Sequence, residues 1–244
     1  MERDVMIKQM ILVTDGQSNV GGSPIIAAEK AYRNGIIVNT IGIVDGKESN
    51  EDALNEIVEI AKAGGGTYEY SYINELFQTM QSLTYQTVNK TLQEVVSKQL
   101  KEMIGQEIHR MEPASRSKIL NYIDDFSEDV GVQCCILLDS SGSMANKIHL
   151  ARHSILDLIH SFKGRRGKVE IAVIAFPGEN MEICKVLHDF NEDSARLERG
   201  LYNISPKGGT PTASAIEEGI KLIHKQSMSR LTSNEVIEVS EYIV

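Results

Sequence analysis

Tryptophan is absent and the aromatic residues make up only 5% of the 244 residues, so the chain has no store of rings on which nucleic-acid bases could stack. Positive charge is also scarce. With 25 Lys and Arg against 34 Asp and Glu, the formal net charge is -9, whereas a phosphate backbone needs clustered cations. No nucleic-acid partner is expected. The one basic run, Lys163, Arg165, Arg166 and Lys168, reads as a solvated turn between a helix and a strand. The three cysteines are Cys134 and Cys135, adjacent in an apolar stretch, and an isolated Cys184. That spacing gives neither a disulfide framework nor a zinc site, and reduced core thiols are expected. No apolar run approaches the ~20 residues of a membrane span. The first nine residues carry Glu2, Arg3, Asp4 and Lys8 without the apolar stretch of a signal peptide. The expectation is a cytoplasmic chain with no membrane contact.

What the sequence does contain is a rhythm. Strands buried on both faces read as continuous apolar runs. Met10–Thr14 is one, followed by a polar loop and a helix from Pro24 to about Asn34, stopped by Gly35. Ile36–Val44 is the next strand. A polar loop over 45–50 leads to a helix carrying Leu54, Ile57, Val58 and Ala61, then Gly64–Gly66, then an edge strand Thr67–Tyr72. From about Asn74 to Ile108 the pattern turns helical, with Val88, Leu92, Val95, Val96 and Met103 on one face. Pro113 interrupts it before a second amphipathic stretch with Ile119, Leu120, Ile123 and Phe126. The rhythm resumes with the strand Val132–Leu138 and a helix from about Lys147 to Phe162. Val169–Phe176 and Ile183–Phe190 read as a hairpin around Pro177-Gly178. A short helix follows, and another runs from Ala213 to about His224. Alternating strands and helices predict an α/β fold, a doubly wound and mostly parallel sheet covered on both faces.

Asp139-Ser140-Ser141-Gly142-Ser143 stands at the end of a buried strand, the edge at which open α/β sheets bind ligands. One carboxylate and two hydroxyls offer only oxygen donors, which suit a hard cation such as Mg²⁺. They cannot complete an octahedron. Thr210, in a Gly-Gly-Thr loop before a helix, and Asp15, ending the strand Met10–Thr14, are the candidates to add to it. His149, His153 and His160 share one helix flank and read as solvated rather than as a second metal site. Gly64–Gly66 reads as a helix stop and not a phosphate loop, because it follows a helix.

The segments Ile136–Met144, Gly208–Thr212 and Ile11–Gly16 resemble the three metal-site loops of von Willebrand factor A domains and integrin I domains. The resemblance implies a metal-ion-dependent adhesion site. Ser141 and Ser143 then match the hydroxyls that bind metal directly. Thr210 matches the hydroxyl that binds directly or through water, and Asp139 and Asp15 match the two aspartates, often linked through water. Thr212 is the weaker choice in its loop. The implied cofactor is Mg²⁺, or Mn²⁺ or Ca²⁺.

The order departs from the family, since Thr14-Asp15-Gly16 comes first here and last in an ordinary member. Residues 9–83 resemble the back half of such a domain and 130–225 the front half. Residues 84–129 form a helical connecting arm, and 226–244 are a tail without an assigned structure. A single circularly permuted domain accounts for these pieces, because either half alone lacks part of the sheet and of the site. The chain is similar in both order and arm to a type of protein from spore-forming bacteria. The same motifs would be satisfied in a monomer or in a domain-swapped dimer.

The leading expectation is a non-enzymatic binding module whose partner is a protein offering an acidic residue to the cation. A metal-dependent phosphohydrolase using Asp139 or Asp15 is the competing class. Against it, no D-x-D pattern is present and no His or Lys is evident beside the motifs as a general acid. Ser141 and Ser143 also lack the adjacent base of a serine nucleophile. An accessory subunit of an ATPase or kinase is a third possibility. The partner's identity is not legible in the sequence.

Overall fold

Two nine-residue runs, β1 (Met6–Thr14) and β4 (Gly131–Asp139), lie side by side and are buried at every position. They run parallel, with Ile7 opposite Val132 and Val13 opposite Leu138. A computed structural model describes residues 6–44, 51–179, 182–190 and 194–232. On the β1 side the sheet continues through β2 (Ile36–Val44) to the edge strand β3 (Gly65–Tyr72), both parallel. On the β4 side it continues through parallel β5 (Val169–Phe176) to antiparallel β6 (Lys185–His188). The order β3-β2-β1-β4-β5-β6 puts the two sequence halves in one sheet. The doubly wound, mostly parallel α/β fold with permuted strand order is as expected.

Side chains alternate across each strand and feed two cores. Met10, Leu12, Cys135 and Leu137 face α1 (Pro24–Arg33), α2 (Glu51–Ala63) and α7 (Thr212–Thr232) through Ala28, Ile60 and Ile216. Ile11, Val13, Cys134 and Ile136 face the opposite layer. That layer comprises α3 (Leu76–Ile104), α4 (Pro113–Ser127), α5 (Ile148–Phe162) and α6 (Ser194–Tyr202). The neighbouring cysteines therefore point to opposite faces. Burial pushes the Cys134 thiol up to about 12 and Cys135 well above the ordinary range, as expected of core thiols.

Several expectations need correction. α3 is one uninterrupted helix, capped by Gly105 at φ 70, so the division between residues 83 and 84 falls inside it. Leu76, Met80, Leu83, Val88 and Leu92 are all buried, whereas Met103 is 77% exposed. The apolar stripe outruns the surface it packs on. β6 is four residues long, well short of the strand expected over 183–190. α7 continues past His224 to Thr232, because its last turns include buried polar residues, Gln226 and Ser227, that apolar periodicity does not flag. Arg165 is not a solvated turn residue. Its guanidinium donates to the carbonyls of Ser127 (2.5 Å) and Val130 (3.2 Å), tying the arm's end to the turn before β5. His149 and His153 are exposed, their rings meeting edge-on at 4.6 Å. The first five residues, the loop over 45–50 and the chain beyond 232 lie outside the described residues. Among those described, no helix is long and apolar enough to cross a membrane.

Candidate metal centre

Because β1 and β4 are parallel neighbours, both end at the same edge of the sheet. From there the chain leaves β1 towards β2 and β4 towards β5, in opposite directions. A crevice opens where strand order reverses in this way. Thr14-Asp15-Gly16 and Asp139–Ser143 are the two loops at that point.

Asp139 is fully buried and held by neutral donors. The Thr14 hydroxyl donates to its Oδ2 at 2.6 Å, and the Ser141 backbone N–H donates to Oδ1 at 2.8 Å. Burial, the largest influence, pushes its carboxyl up to about 6, while these hydrogen bonds pull the other way. The strand end leads into a single turn of 3-10 helix, Gly142–Asn146, which lifts Ser143 over Ser141. The two hydroxyl oxygens lie 3.0 Å apart. Ser143 then donates to Asp15 Oδ1 at 2.6 Å across 128 positions of sequence. With its proton given to Asp15, the Ser143 oxygen keeps lone pairs with which to accept. Asp15 Oδ2 meets the Lys147 ammonium at 2.6 Å, and the Asp15 side chain is only 1% exposed.

The third loop joins through its backbone. Gly142 N–H donates to the carbonyl of Gly208 (3.3 Å), and Lys207 N–H donates to that of Ser140 (3.0 Å). Thr210 is buried, and the loop after β1 grips it three times, once through the Ser18 hydroxyl, which donates to its carbonyl at 3.2 Å. Its N–H donates to Asn19 Oδ1 at 2.8 Å, and its carbonyl accepts from Asn19 N–H at 3.2 Å. A Cβ at Gly209 would collide with Asn19 Oδ1 and Val20 Cγ2, so the Gly-Gly-Thr spacing is what lets the two loops close. Thr212, also buried, is the first residue of α7. Glu56, reaching from α2, accepts the Ser18 N–H at 2.6 Å and so braces this loop from behind.

Asp15, Asp139, Ser141 and Ser143 are thus joined by direct hydrogen bonds within one chain, and Thr210 is drawn to their edge by backbone contacts. No exchange of halves between two chains is needed to bring them together. Among the described residues no group of three or more His, Cys, Asp or Glu gathers that could hold a metal. The centre has two carboxylates and is otherwise built of hydroxyls, an all-oxygen set suited to a hard divalent cation. A buried carboxylate satisfied only by neutral donors is an incomplete electrostatic arrangement, and a cation completes it.

Sequence reasoning missed four contributors: Thr14, Asn19, Glu56 and Lys147. Thr14 lies inside a quoted motif and could have been suspected as a donor. Lys147, four residues past Ser143, corrects the expectation that no Lys stands beside the motifs.

Two family profiles, both described as von Willebrand factor type A domain, match the chain over residues 134–240 and 2–86. One falls on each half of the sheet. Among curated proteins the chain is 36% identical over 214 residues to the uncharacterized protein YabS of Bacillus subtilis, covering 87% of each. It is 41% identical over 80 residues to the uncharacterized protein YwmC of the same organism, which is 31% of this chain and 33% of that one. Among solved structures it resembles an uncharacterized protein from Alicyclobacillus acidocaldarius, with a TM-score of 0.85, 34% identity and coverage of 92% of this chain and 96% of that one. Matches to both halves, joined by a relative and a structure spanning nearly the whole length, establish that this chain belongs to the von Willebrand factor type A domain family.

Proposed function

We propose that the chain is a non-enzymatic module that binds an acidic residue of a protein partner through a divalent cation, Mg²⁺ or else Mn²⁺ or Ca²⁺. Domains of this family commonly engage other proteins in a metal-dependent way, and the donor set fits that role. Asp139, Ser141, Ser143, Thr210 and Asp15 hold the cation. When bound, it supplies a Lewis-acidic centre for a carboxylate oxygen. Ser141 and Ser143 present neutral oxygens, so the ion keeps more of its charge than an all-carboxylate cage would leave it, and its pull on an incoming anion is stronger. The hydrogen bond from Ser143 to Asp15 carries this reading, because it unites two motifs 128 positions apart in sequence at one point.

The test is capture of partners by the full chain in Mg²⁺, in chelator, and with Asp139→Ala. Proteins retained by the wild type in Mg²⁺ and lost under both other conditions support the reading. Retention that ignores both changes sinks it. A second arm follows amide exchange in α3, which leaves the sheet directly after β3. Partner engagement coupled to the arm changes exchange there.

A metal-dependent phosphohydrolase is disfavoured because the sequence has no D-x-D pattern and neither Ser141 nor Ser143 has the adjacent base of a serine nucleophile. Metal-dependent turnover of generic phosphoesters, abolished by Asp139→Ala, would reverse that judgement. A partner that proves to be an ATPase or kinase would make the chain its accessory subunit. We place the module in the cytoplasm and expect no nucleic-acid or membrane partner.

A further inference from the structure

The polar contacts of Asp15 are asymmetric with those of Asp139. Among the described residues Asp139 accepts from neutral groups, the Thr14 hydroxyl and the N–H and hydroxyl of Ser141. Asp15 accepts a neutral hydrogen bond at Oδ1 from Ser143 and a charged one at Oδ2 from Lys147, both at 2.6 Å. Lys147 is the residue before α5. Its own N–H donates to Met144 (2.8 Å) and its carbonyl accepts from Ala151 (3.1 Å), so its backbone is fixed on both sides. Its side chain is 16% exposed and the Asp15 side chain 1%. The stem of the Lys147 side chain is therefore anchored beside the centre whether or not its ammonium sits on Asp15.

We propose that Lys147 is a tethered counter-ion for Asp15 which a divalent cation must displace in order to occupy the centre. The inference rests on the metal reading above and deepens it. Two buried carboxylates linked through Ser141 and Ser143 give the centre a formal charge of −2, and Lys147 cancels half of it. With the ammonium on Oδ2 and the Ser143 proton on Oδ1, both Asp15 oxygens are engaged before any ion arrives. The competitor is intramolecular and present at a high effective concentration. K⁺ and Na⁺ carry no more charge than the ammonium they would replace, and they lose. A divalent ion brings twice the charge to the same carboxylates and wins. Lys147 thus sets the concentration at which the module loads and rejects monovalent ions, and it neutralises a buried charge pair that would otherwise destabilise the metal-free fold.

The test uses the full chain, with Mg²⁺ titrations read by calorimetry and by melting temperature, in wild type, Lys147→Met and Lys147→Arg. Lys147→Met should bind Mg²⁺ about tenfold more tightly or better. It should also show a larger gain in melting temperature on Mg²⁺ addition and acquire a response to K⁺. Lys147→Arg should stay near wild type. Unchanged or weaker Mg²⁺ binding in Lys147→Met overturns the proposal. A second measurement needs no variant: acylation of Lys147 in the wild type, read by mass spectrometry, should rise as Mg²⁺ saturates, and unaltered protection of the amine overturns displacement. If the wild type shows no heat and no melting shift with Mg²⁺ or Mn²⁺, the metal reading itself fails and takes this inference with it. A wild type that responds beside a Lys147→Met that does not tighten condemns the inference alone.

Discussion

The hydroxyl of Thr14 donates to Oδ2 of Asp139 at 2.6 Å, joining residues 125 positions apart at the ends of two adjacent parallel strands. The bond is a consequence of register. Val13 sits opposite Leu138, so the next residue along each strand meets the other at the sheet's edge. A short hydrogen bond to a buried carboxylate is among the stronger kinds. Thr14→Val keeps the shape and removes the donor. It should lower stability by about 1.5–3 kcal/mol, measured by urea denaturation in chelator, while Thr14→Ser should recover most of the loss. A Thr14→Val chain as stable as wild type would show that the hydroxyl does not support Asp139.

Asp139 also makes the protein's response to pH specific. Burial, the leading cause, raises its carboxyl to about 6 from an ordinary 3.8. Between about pH 4 and pH 6 the folded chain therefore holds a proton that the unfolded chain has released. Stability from this group then falls as pH rises through that window, and the full penalty remains above it. A divalent ion reverses the sign, because it favours the ionised form. In chelator the melting temperature of wild type should drop from pH 4.5 towards pH 6.5 relative to Asp139→Asn. Mg²⁺ affinity should climb over the same range and level off above about pH 6, with proton release detectable in buffers of different ionisation enthalpy. A Mg²⁺ affinity independent of pH between 5 and 7 would contradict the assignment.

These relationships divide sharply in how far they could be read from the chain. The strand ends at the centre were legible, because buried parallel strands are continuous apolar runs and these two runs stop at Thr14-Asp15 and at Asp139. Asp15 and Asp139 were legible as candidates for the same reason, Ser141 and Ser143 from the loop that follows, and Thr210 only from the Gly-Gly-Thr loop before a helix. Lys147 and Asn19 were not, since neither type is unusual where it stands and each acts across the fold, on Asp15 and on Thr210. The buried polar row under α3 was hidden too. Gln9 donates to Thr84 (2.9 Å), and Asn39 donates to Gln9 (3.2 Å) and Thr87 (2.9 Å). On an apolar count those positions look like interruptions of strand and helix, yet each finds its partner in another element. Met103 erred the other way: its spacing fits the helix stripe, but its side chain is left exposed among the described residues.

Asn19 offers a separation of binding from stability. It is exposed, so the loss of its side chain costs the core little, yet its Oδ1 accepts the Thr210 N–H at 2.8 Å. Asn19→Ala should change unfolding free energy by about 1 kcal/mol or less. The same substitution removes the acceptor of the Thr210 N–H but keeps the two bonds to its carbonyl, from the Asn19 N–H and the Ser18 hydroxyl. The loop therefore loosens and Mg²⁺ binding should weaken about two- to threefold, because a looser donor must be ordered when the ion arrives. Calorimetric titration beside a urea melt reads both quantities. A variant that loses stability heavily while keeping its affinity would make Asn19 a fold residue and leave Thr210 positioned by something else.

α3 should behave as two segments although it is one helix. Leu76, Met80, Leu83 and Val88 are fully buried and Leu92 nearly so, whereas Met103 and Ile104 are 77% and 57% exposed. Apolar contacts hold the first four turns onto the sheet, and the last turns extend past it. Exchange of backbone amides follows local opening, which is rarer where more apolar surface is packed. Protection should therefore be strong through about residue 92 and fall progressively towards Gly105 in the free protein. Leu83→Ala should cost about 2–5 kcal/mol through the cavity it leaves, while Met103→Ala should stay within about 0.5 kcal/mol of wild type. Uniform protection from Leu76 to Ile104, together with a costly Met103→Ala, would mean that the distal turns are packed against something that the isolated chain does not supply, such as a second copy.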